Sequence, residues 1–421
     1  MSETHAHAAN CCDDMPKGTL TVDQALERIQ SAVPLVSGIE RVAIREALGR
    51  VLAVDVHSAV DVPSHTNSAM DGYAVNSADL PGEGEAKLKV IGTSWAGRPY
   101  TGTVGRGECA RIFTGAAMPD GTDTVLMQEA VERDDDTIRL LARHKAGENV
   151  RHAGEDLAQG GLVLEAGHWI RPADIGVLAS VGVPEVNVRR RLRVAFFSTG
   201  DELRSIGEPL GKGEIYDSNR YTIYGMLKRL GVEMIDMGVI RDDRDATRQA
   251  FKDAAAIADV VITSGGVSVG EADFVKETLD ELGKVDFWKI AMKPGKPLAF
   301  GFVDGAVFFG LPGNPVSVMV TFYQFALPAM KSMMGCRETF TPTFRLPLVD
   351  SLRKGKGRTE FQRGILERDA SGQPVVRTTG EQGSGILSSM SRGNCFIILP
   401  RDSEGAQPGD IVEVQPFDGI V

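Results

Sequence analysis

The chain has 421 residues, of which 42% are hydrophobic and 24% charged, and its formal net charge is −11. This composition is typical of a globular protein of about three domains. It excludes a membrane-spanning class, since no apolar run approaches the roughly 18 residues of a span. The acidic balance also argues against nucleic acid as a partner, because neutralising phosphates needs a basic face.

The N-terminal residues 1–18 are predicted to be a disordered tail. They contain no cationic patch followed by an apolar segment, so we expect no secretory signal and a cytoplasmic location. His5, His7, Cys11 and Cys12 crowd together and could bind a soft metal, although nothing nearby would hold them in a fixed geometry. The five cysteines have no repeated spacing, which argues against a disulfide framework.

The order of local patterns predicts alternating types of structure along the chain. Thr21 with Gln24 forms a capping box that predicts a helix. From Arg41 to about Val188, short β-prone runs are broken by turns, apart from a short helix predicted over residues 172–182. From Leu192 the order strand, turn, helix repeats, and Asn314-Pro315 predicts the start of a long helix. Short β-prone runs return after residue 341.

We therefore predict a multidomain α/β plus β protein. Its largest part is a doubly wound, mostly parallel α/β domain, because helices alternate with strands. The predicted boundaries are residues 19–40 and 191–340 for the α/β domain, 41–58 and 159–190 for a small linking domain, 59–158 for an inserted β-rich domain, and 341–421 for a C-terminal β-barrel.

The candidate site lies beyond the carboxyl ends of the α/β strands, where ligands bind in open sheets of this kind. The turns expected to meet there are Ser198–Glu202, Arg241–Asp243, Ser264–Gly266 and Gly310–Pro315. Two of them are glycine-rich and predict clusters of backbone N–H groups that attract an anion, including those of Ser264, Gly265, Gly266 and Gly313.

Three of these turns have acidic residues in them or just beyond them, and these acids should repel the same anion. Each acid could simply complement the dipole of a following helix. A divalent ion would resolve the conflict, because carboxylates can hold a metal that neutralises phosphate oxygens. Scattered carboxylates fit a hard ion such as Mg²⁺ better than zinc.

Further polar residues are candidates for the same chemistry. Lys289, Lys293 and Lys296 in "WKIAMKPGKP" could supply cations, or could belong to a solvated loop. In the β insertion, a plain hairpin turn would explain Asp71-Gly72. Thr114 follows a predicted strand, and Arg151 and Asp156 lie in a polar stretch, "GENVRHAGED"; each is a weak signal by itself.

Taken together, long motifs across the chain resemble one family. They are "DVPSHTNSAMDGYAV", "RIFTGAAMPDGTDTVLMQE", "GENVRHAGED", "STGDEL", "IYDSNR", "ITSGGVSVGEADF", "KPGKP", "GLPGNPVS" and "GNCFI". In this order, from about residue 18 to 420, they resemble the molybdopterin molybdenumtransferases (MoeA), which are related to the E domain of gephyrin.

The resemblance implies an elongated homodimer with an active site shared between chains. It implies a reaction of adenylylated molybdopterin with molybdate, in which Mg²⁺-dependent cleavage of the phosphoanhydride releases AMP. The acids that match the family's functional positions are Asp71, Asp156, Glu202, Asp242 and Asp273, and the other matching positions are Thr114, Lys289, Lys293, Pro312 and Pro315. With the rim analysis, this assigns Mg²⁺ ligation to Glu202, Asp242 and Asp273.

Two alternatives remain at this point. The fold could serve as a scaffold, as in gephyrin, but a scaffold would not require the full set of acids. It could also be a molybdopterin adenylyltransferase, which would not need the β insertion or the C-terminal barrel. The adenylyltransferase that supplies the pterin and the molybdoenzymes that receive the product are candidate partners.

Overall fold

A computed structural model describes residues 18–81, 85–140, 143–265 and 274–417. The predicted disordered tail, Gly266 and Asp273 lie outside these residues. The chain forms two compact units, one built from the segments before Arg41 and after Val188, and the other from Arg41–Val188. This division is coarser than the predicted domains, whose boundaries stay predictions.

The first unit is organised around a seven-stranded sheet. Its strands, in spatial order, are Thr19–Leu20, Gly283–Ile290, Pro297–Val303, Ala306–Leu311, Val260–Ser264, Arg193–Thr199 and Glu233–Ile240. The last four pair in parallel, as predicted. The three strands from Gly283 to Leu311 instead form an antiparallel meander at one side, which the sequence analysis did not predict.

Helices flank this sheet at the predicted places. They are Val22–Ala32, Ser218–Leu230, Arg244–Ile257, Phe274–Leu282, Pro315–Thr321 and Leu327–Met333. The predicted capping box is confirmed, because the Thr21 N–H donates to Gln24 and the Gln24 N–H donates to Thr21 Oγ1. The long helix after Asn314 is also confirmed, with a π-helical turn at Phe322–Ala326 just before Pro328, which has no N–H to donate.

The core of this unit is aromatic and fully enclosed. Phe251 of helix Arg244–Ile257 contacts Phe197 and Phe308 edge-on, with ring centroids 5.2 and 5.5 Å apart. All three side chains are buried. Each such ring contributes about 1.5–3 kcal/mol by leaving water, so the core fixes the helix against the strands whose carboxyl ends carry the candidate turns.

The C-terminal part of the same unit is a second, smaller β structure. Its main sheet contains Met292–Lys293, Thr359–Arg368, Cys395–Leu399, Ile411–Pro416 and Phe344–Pro347, with Pro374–Thr378 beside Thr359–Arg368. A bridge between Leu348 and Val376 joins the two outer strands, so the pairings run in a closed ring, the arrangement of a small barrel. Short elements complete it: strands Leu352–Arg353 and Gly405–Ala406, and helix Ser388–Arg392.

The second unit contains the inserted β-rich segment. Its six-stranded sheet has the order Thr124–Met127, Gly72–Val75, Glu108–Ile112, Lys87–Ser94, Thr137–Leu140 and Val131–Asp134. A separate apolar cluster, which includes Leu52, Ile170 and Leu178, packs around helix Pro172–Ser180. Shorter strands are Val56–His57 with Leu162–Leu164, and Asn67–Ser68 with Val150–Arg151. Strands Ile39–Ala43 and Glu185–Arg189 span the points where the chain changes unit.

The thiols in the described part of the chain are structural. Cys109, Cys336 and Cys395 are free and buried, and burial raises the pKa of each to about 12. They are therefore protonated and unreactive at neutral pH. None of the helices described is long and apolar enough to cross a bilayer.

Candidate functional site

A cavity of about 750 Å³ lies in the first unit, at the carboxyl ends of the parallel strands. It is lined by Gly265, Lys293, Lys296, Pro312 and Gly313 of the predicted set. Three predicted substrate-binding residues of this unit are outside the lining: Ser264 is buried at the end of strand Val260–Ser264, Lys289 is in strand Gly283–Ile290, and Pro315 is the first residue of its helix. The structure therefore brings two of the three predicted lysines to the glycine turns.

Asn219 ties the two glycine-containing turns together. Its side-chain amide donates to Ser264 Oγ and to the Gly313 carbonyl, both at 2.7 Å. Its own Oδ1 is buried without a hydrogen-bond partner among the described residues. This residue lies in the motif "IYDSNR" but was not predicted at the site, because the motif does not show which way side chains in the first turn of the helix are directed.

The Gly265 amide does not contribute to the predicted anion cradle. Its N–H donates to the Leu311 carbonyl at 3.2 Å. The residue has φ +90°, and a Cβ there would lie 2.9 Å from the Thr199 carbonyl oxygen. A glycine is therefore required for close approach of two turns rather than for supplying this N–H group.

The cationic side of the cavity rests on a buried carboxylate. Lys293 Nζ lies 3.4 Å from Glu360, whose side chain is 3% exposed and also accepts from Gln362 Nε2 at 2.9 Å. A buried carboxylate with these partners holds the lysine in one place. Lys293 is therefore paired, with a side chain that is 48% exposed, and its part in substrate binding stays a prediction.

Several lining residues come from the C-terminal part and were missed. They are Arg358, Glu381, Gln382, Gly383 and Ser384, with Ser317 from the first turn of the helix, whereas the lining residue Asn314 belongs to the predicted Gly310–Pro315 turn. The Val316 N–H donates to the Ser384 carbonyl at 3.1 Å, which joins the two segments. Beneath them, Arg363 is buried and donates to the Gly383 carbonyl at 3.0 Å. Burial lowers the pKa of Arg363 to about 10, so it stays protonated at neutral pH.

Of the residues in this region that the sequence analysis missed, Arg363 could have been found from the sequence. It is a charged residue inside the β-prone run "TEFQRGIL", where a buried arginine needs a built set of acceptors.

Acidic side chains gather in the turns that follow two neighbouring strands of the same sheet, Arg193–Thr199 and Glu233–Ile240. Burial raises the pKa of Asp242, and repulsion from Asp201 and Glu202 raises it further. The Asp242 N–H donates to Asp201 at 3.3 Å, which holds the two turns together. The same turn begins at Thr199, whose carbonyl Gly265 approaches. The neighbouring Asp243 has a separate role, because its side chain caps helix Arg244–Ile257 by accepting from the Ala246 N–H at 2.8 Å.

The donor chemistry of this cluster fits a hard divalent cation. Carboxylates held close together at the expense of a raised pKa are stabilised when a cation binds between them. Among the described residues, no group of three or more His, Cys, Asp or Glu has the geometry of a complete metal site. Glu202 and Asp242 supply two of the predicted ligands, and the third, Asp273, lies outside the described residues.

The second unit contains a separate polar cluster. Thr114 donates to Asp71 Oδ1 twice, from its backbone N–H at 2.8 Å and from Oγ1 at 2.7 Å. These two bonds, with a smaller contribution from the charge of Arg111, hold the pKa of Asp71 below its usual value. Asp71 is therefore a fixed, ionised carboxylate at the surface of the insertion.

The hairpin-turn explanation of Asp71-Gly72 is wrong. Gly72 begins the central strand Gly72–Val75, which pairs with Glu108–Ile112 and Thr124–Met127. A Cβ at Gly72 would lie 1.8 Å from the Leu126 carbonyl oxygen. The glycine thus permits close strand approach, and Asp71 directly precedes the amino end of this strand.

Arg151 and Asp156 lie on an exposed segment that is bonded to the same region. Arg151 pairs with Asn67 in a short strand, and the Asp156 N–H donates to the Val62 carbonyl at 3.0 Å. The Gly115 N–H donates to the Ser68 carbonyl at 2.8 Å, so the three polar motifs of the insertion are held together. This explains the polar run that leads into Asp71.

The fold and the cavity define a multidomain α/β plus β protein in which cationic side chains lie beside two glycine turns. Comparison with known families agrees. Residues 20–182 match the MoeA N-terminal region (domain I and II), residues 195–332 match the probable molybdopterin binding domain, and residues 345–417 match the MoeA C-terminal region (domain IV).

Curated relatives cover nearly the whole chain. A molybdopterin molybdenumtransferase from Haemophilus influenzae is 43% identical over 404 residues, 96% of this chain and 100% of that protein. One from Nostoc sp. is 38% identical over 369 residues, covering 86% and 85% of the two chains. The chain therefore belongs to the molybdopterin molybdenumtransferase family, which consists of enzymes of molybdenum cofactor biosynthesis.

Solved structures show the same relationship. A molybdopterin biosynthesis MoeA protein from Pyrococcus horikoshii OT3 aligns with a TM-score of 0.82 at 29% identity, over 95% of this chain and 100% of that one. A second P. horikoshii structure aligns with a TM-score of 0.75 at 33% identity, over 95% and 99% of the two chains.

Proposed function

We propose that this protein inserts molybdenum from molybdate into adenylylated molybdopterin, with cleavage of the phosphoanhydride and release of AMP, in the cytoplasm. The observation that carries this proposal is the cavity in which Lys293, Lys296 and Arg358 lie beside the Gly265 and Gly313 turns. On a chain of net charge −11, such a local concentration of cations is suited to an anionic substrate. The names of the family's members supply the identity of that substrate.

Each group has a role that follows from its chemistry. The lysines and Arg358 bind the phosphate or molybdate oxygens, and Lys293 is oriented for this by Glu360. Asn219 keeps the two glycine turns at a fixed separation, so that the bound oxygens meet a preformed wall. Lys289, Pro315 and Asp156 remain predicted contributors from the family resemblance, and Arg151 remains one from the polar stretch "GENVRHAGED".

We propose Glu202, Asp242 and Asp273 as the ligands of Mg²⁺. When bound, the ion would stabilise the negative charge that develops on the leaving phosphate. Glu202 and Asp242 themselves hold carboxylate oxygens beside the cavity wall, next to the turn that Gly265 approaches.

The decisive assay supplies adenylylated molybdopterin and molybdate, with and without Mg²⁺. We expect AMP release that requires both molybdate and Mg²⁺. Incorporation of AMP into molybdopterin would instead indicate an adenylyltransferase. Absence of any turnover, with the protein folded and all components present, would favour a scaffold.

Asp273 provides a sharper test of the metal assignment. Asp273→Asn should bind adenylylated pterin at least as well as the parent, because a repulsive charge is removed, yet fail to release AMP. A variant that turns over normally would reduce this acid to a helix cap. Loss of pterin binding would make the carboxylate a direct substrate contact.

We further propose a homodimer with the active site shared between chains, as the resemblance implies. Chains with Asp71→Asn mixed with chains carrying Asp273→Asn should recover part of the activity, because one of the two sites in the mixed dimer is intact. If light scattering gave a mass of about 45 kDa, that of a monomer, for a fully active sample, this would contradict the dimer.

A further inference from the structure

The insertion sheet presents an exposed aromatic face next to the Asp71–Thr114 pair. Trp95 is 46% exposed, and its ring stacks on that of Phe113, with centroids 4.2 Å apart and 13° between the planes. Phe113 directly precedes Thr114, whose N–H and Oγ1 hold Asp71. The exposed Trp95 ring thus stacks on Phe113, which is the residue next to Thr114 of the polar cluster.

The backbone fixes this face in advance. The Trp95 N–H donates to the Arg98 carbonyl, and the Arg98 N–H donates to the Trp95 carbonyl, both at 3.0 Å. The tight turn between them needs Gly97, which has φ +77°. The Phe113 N–H in turn donates to the Ser94 carbonyl at 3.2 Å. Because both rings are held by backbone bonds, a ligand that covers Trp95 would lose little affinity to ordering.

A cation completes the stack. The Arg111 guanidinium lies 5.1 Å from the centroid of Phe113 and 4.9 Å from that of Tyr73. Its position is set by hydrogen bonds to the Gly72 carbonyl and to Gln128. The order Trp95, Phe113, Arg111 gives a rigid platform whose outermost ring offers a flat π-surface. Flat π-surfaces of this kind bind planar heteroaromatic rings by stacking, with little preference for the ring's substituents.

We propose that Trp95 is a stacking platform for a planar heteroaromatic ring of the substrate, either the purine or the pterin. This inference rests on the proposed function, because adenylylated molybdopterin contains both rings. It places a ring-binding subsite on the insertion. Asp71 and Thr114 would then lie beside the bound ring.

The test compares the intact protein with Trp95→Leu and Trp95→Phe, using AMP as the purine probe and 6-hydroxymethylpterin as the pterin probe. Stacking losses of this type correspond to roughly tenfold or more in affinity. We expect Trp95→Leu to lose about that much for at least one probe by equilibrium dialysis, and Trp95→Phe to lose less. Tyr224→Leu, which removes an aromatic side chain 43% exposed on helix Ser218–Leu230, is the matched control and should bind both probes normally.

Fluorescence provides the second readout. Trp95 is one of three tryptophans, so its emission can be separated by difference. The bound ring should quench emission in the parent, and the quench should disappear in Trp95→Phe, which keeps an aromatic partner for Phe113. This comparison decides the matter if Trp95→Leu fails to fold.

Unchanged affinities and an unchanged quench in the variants would overturn the platform. Failure of the parent to bind either probe would overturn it as well. Neither outcome bears on the proposed function, which stands or falls with molybdate-dependent release of AMP. Loss of that release in the parent, with ring binding intact, would overturn the function and leave a ring-binding surface.

Discussion

Asp242 and Asp243 are adjacent in the chain but have opposite surroundings. Asp243 caps a helix through the Ala246 N–H, whereas Asp242 lies against the carboxylates of Asp201 and Glu202. Asp243 therefore stabilises the folded state, whereas like-charge repulsion at Asp242 destabilises it. Substituting each in turn separates the two roles.

Asp243→Ala should lower the free energy of unfolding by about 1 kcal/mol, the usual cost of losing an N-cap, and leave AMP release nearly intact. Asp242→Asn should leave stability unchanged or raise it, because it removes like-charge repulsion, yet abolish Mg²⁺-dependent turnover. Urea unfolding and the AMP assay measure the two effects. Normal turnover in Asp242→Asn would remove this residue from the metal site.

Thr114→Val should weaken activity by roughly tenfold, because one of the two hydrogen bonds to the Asp71 carboxylate is lost. The backbone N–H still donates, so the fold should be unaffected. Thr114→Ser keeps the hydroxyl and serves as the control, with near-parent rates of AMP release. Equal activity of the valine and serine variants would mean that the backbone bond alone positions Asp71.

Lys293→Ala should raise the half-saturating substrate concentration about tenfold or more, since a charge-assisted contact is lost. It should also lower stability, because Glu360, which is 3% exposed, loses its cation. The double variant Lys293→Ala, Glu360→Gln should recover stability but not affinity. Lys252→Ala, on helix Arg244–Ile257, is the control for a general loss of positive charge. Equal saturation curves for Lys293→Ala and the parent would contradict a substrate contact.

The Arg190–Asp259 pair predicts a specific acid sensitivity. Arg190 donates to both carboxylate oxygens at 2.7 and 2.6 Å, and the Arg193 N–H donates at 2.8 Å. Burial alone would raise the pKa of Asp259, but these bonds and the arginine charges outweigh it and lower the pKa below 3.8. The resulting stability is present above the unfolded pKa of about 4 and is lost as the pH falls through the lower folded value.

Asp259→Asn should therefore reduce the free energy of unfolding by about 1–3 kcal/mol at pH 7. The difference from the parent should shrink below about pH 4, where the parent's own carboxylate becomes protonated. Urea titrations at several pH values measure this. A difference that does not depend on pH would mean that packing, rather than charge, explains the loss.

The strength and limits of sequence analysis are visible at particular residues. The parallel half of the sheet, the capping box at Thr21 and the helix after Asn314 follow from local patterns, and the structure confirms them. The antiparallel meander was missed because two of its strands, Gly283–Ile290 and Pro297–Val303, were not recognised as strands: they begin with glycine and proline, and lysine and aspartate interrupt the first. The predicted hairpin at Asp71-Gly72 was wrong because the sequence does not distinguish a glycine needed for a turn from a glycine needed for close approach of a neighbouring carbonyl group.

The site was predicted in the parts that belong to one motif and missed where distant segments meet. Gly265 was placed at the cavity by the rule about strand ends, and Lys293 by its nearness in sequence and by the family resemblance. Arg358 and Ser384 come from the C-terminal part, and their approach depends on contacts such as that between Val316 and Ser384. No spacing along the chain shows such a contact.

The meander also has a kinetic consequence. Its three strands, Gly283–Ile290, Pro297–Val303 and Ala306–Leu311, are consecutive in the chain, so their contacts close short loops and should form early in refolding. The parallel strand Val260–Ser264, which leads into Gly265, can pair with its neighbours only after its helical crossovers have formed. Lys293 and Lys296, which lie between the first two strands of the meander, should therefore be ordered before the turn at Gly265. In a stopped-flow experiment, burial of Trp288 in the meander should precede the return of substrate binding.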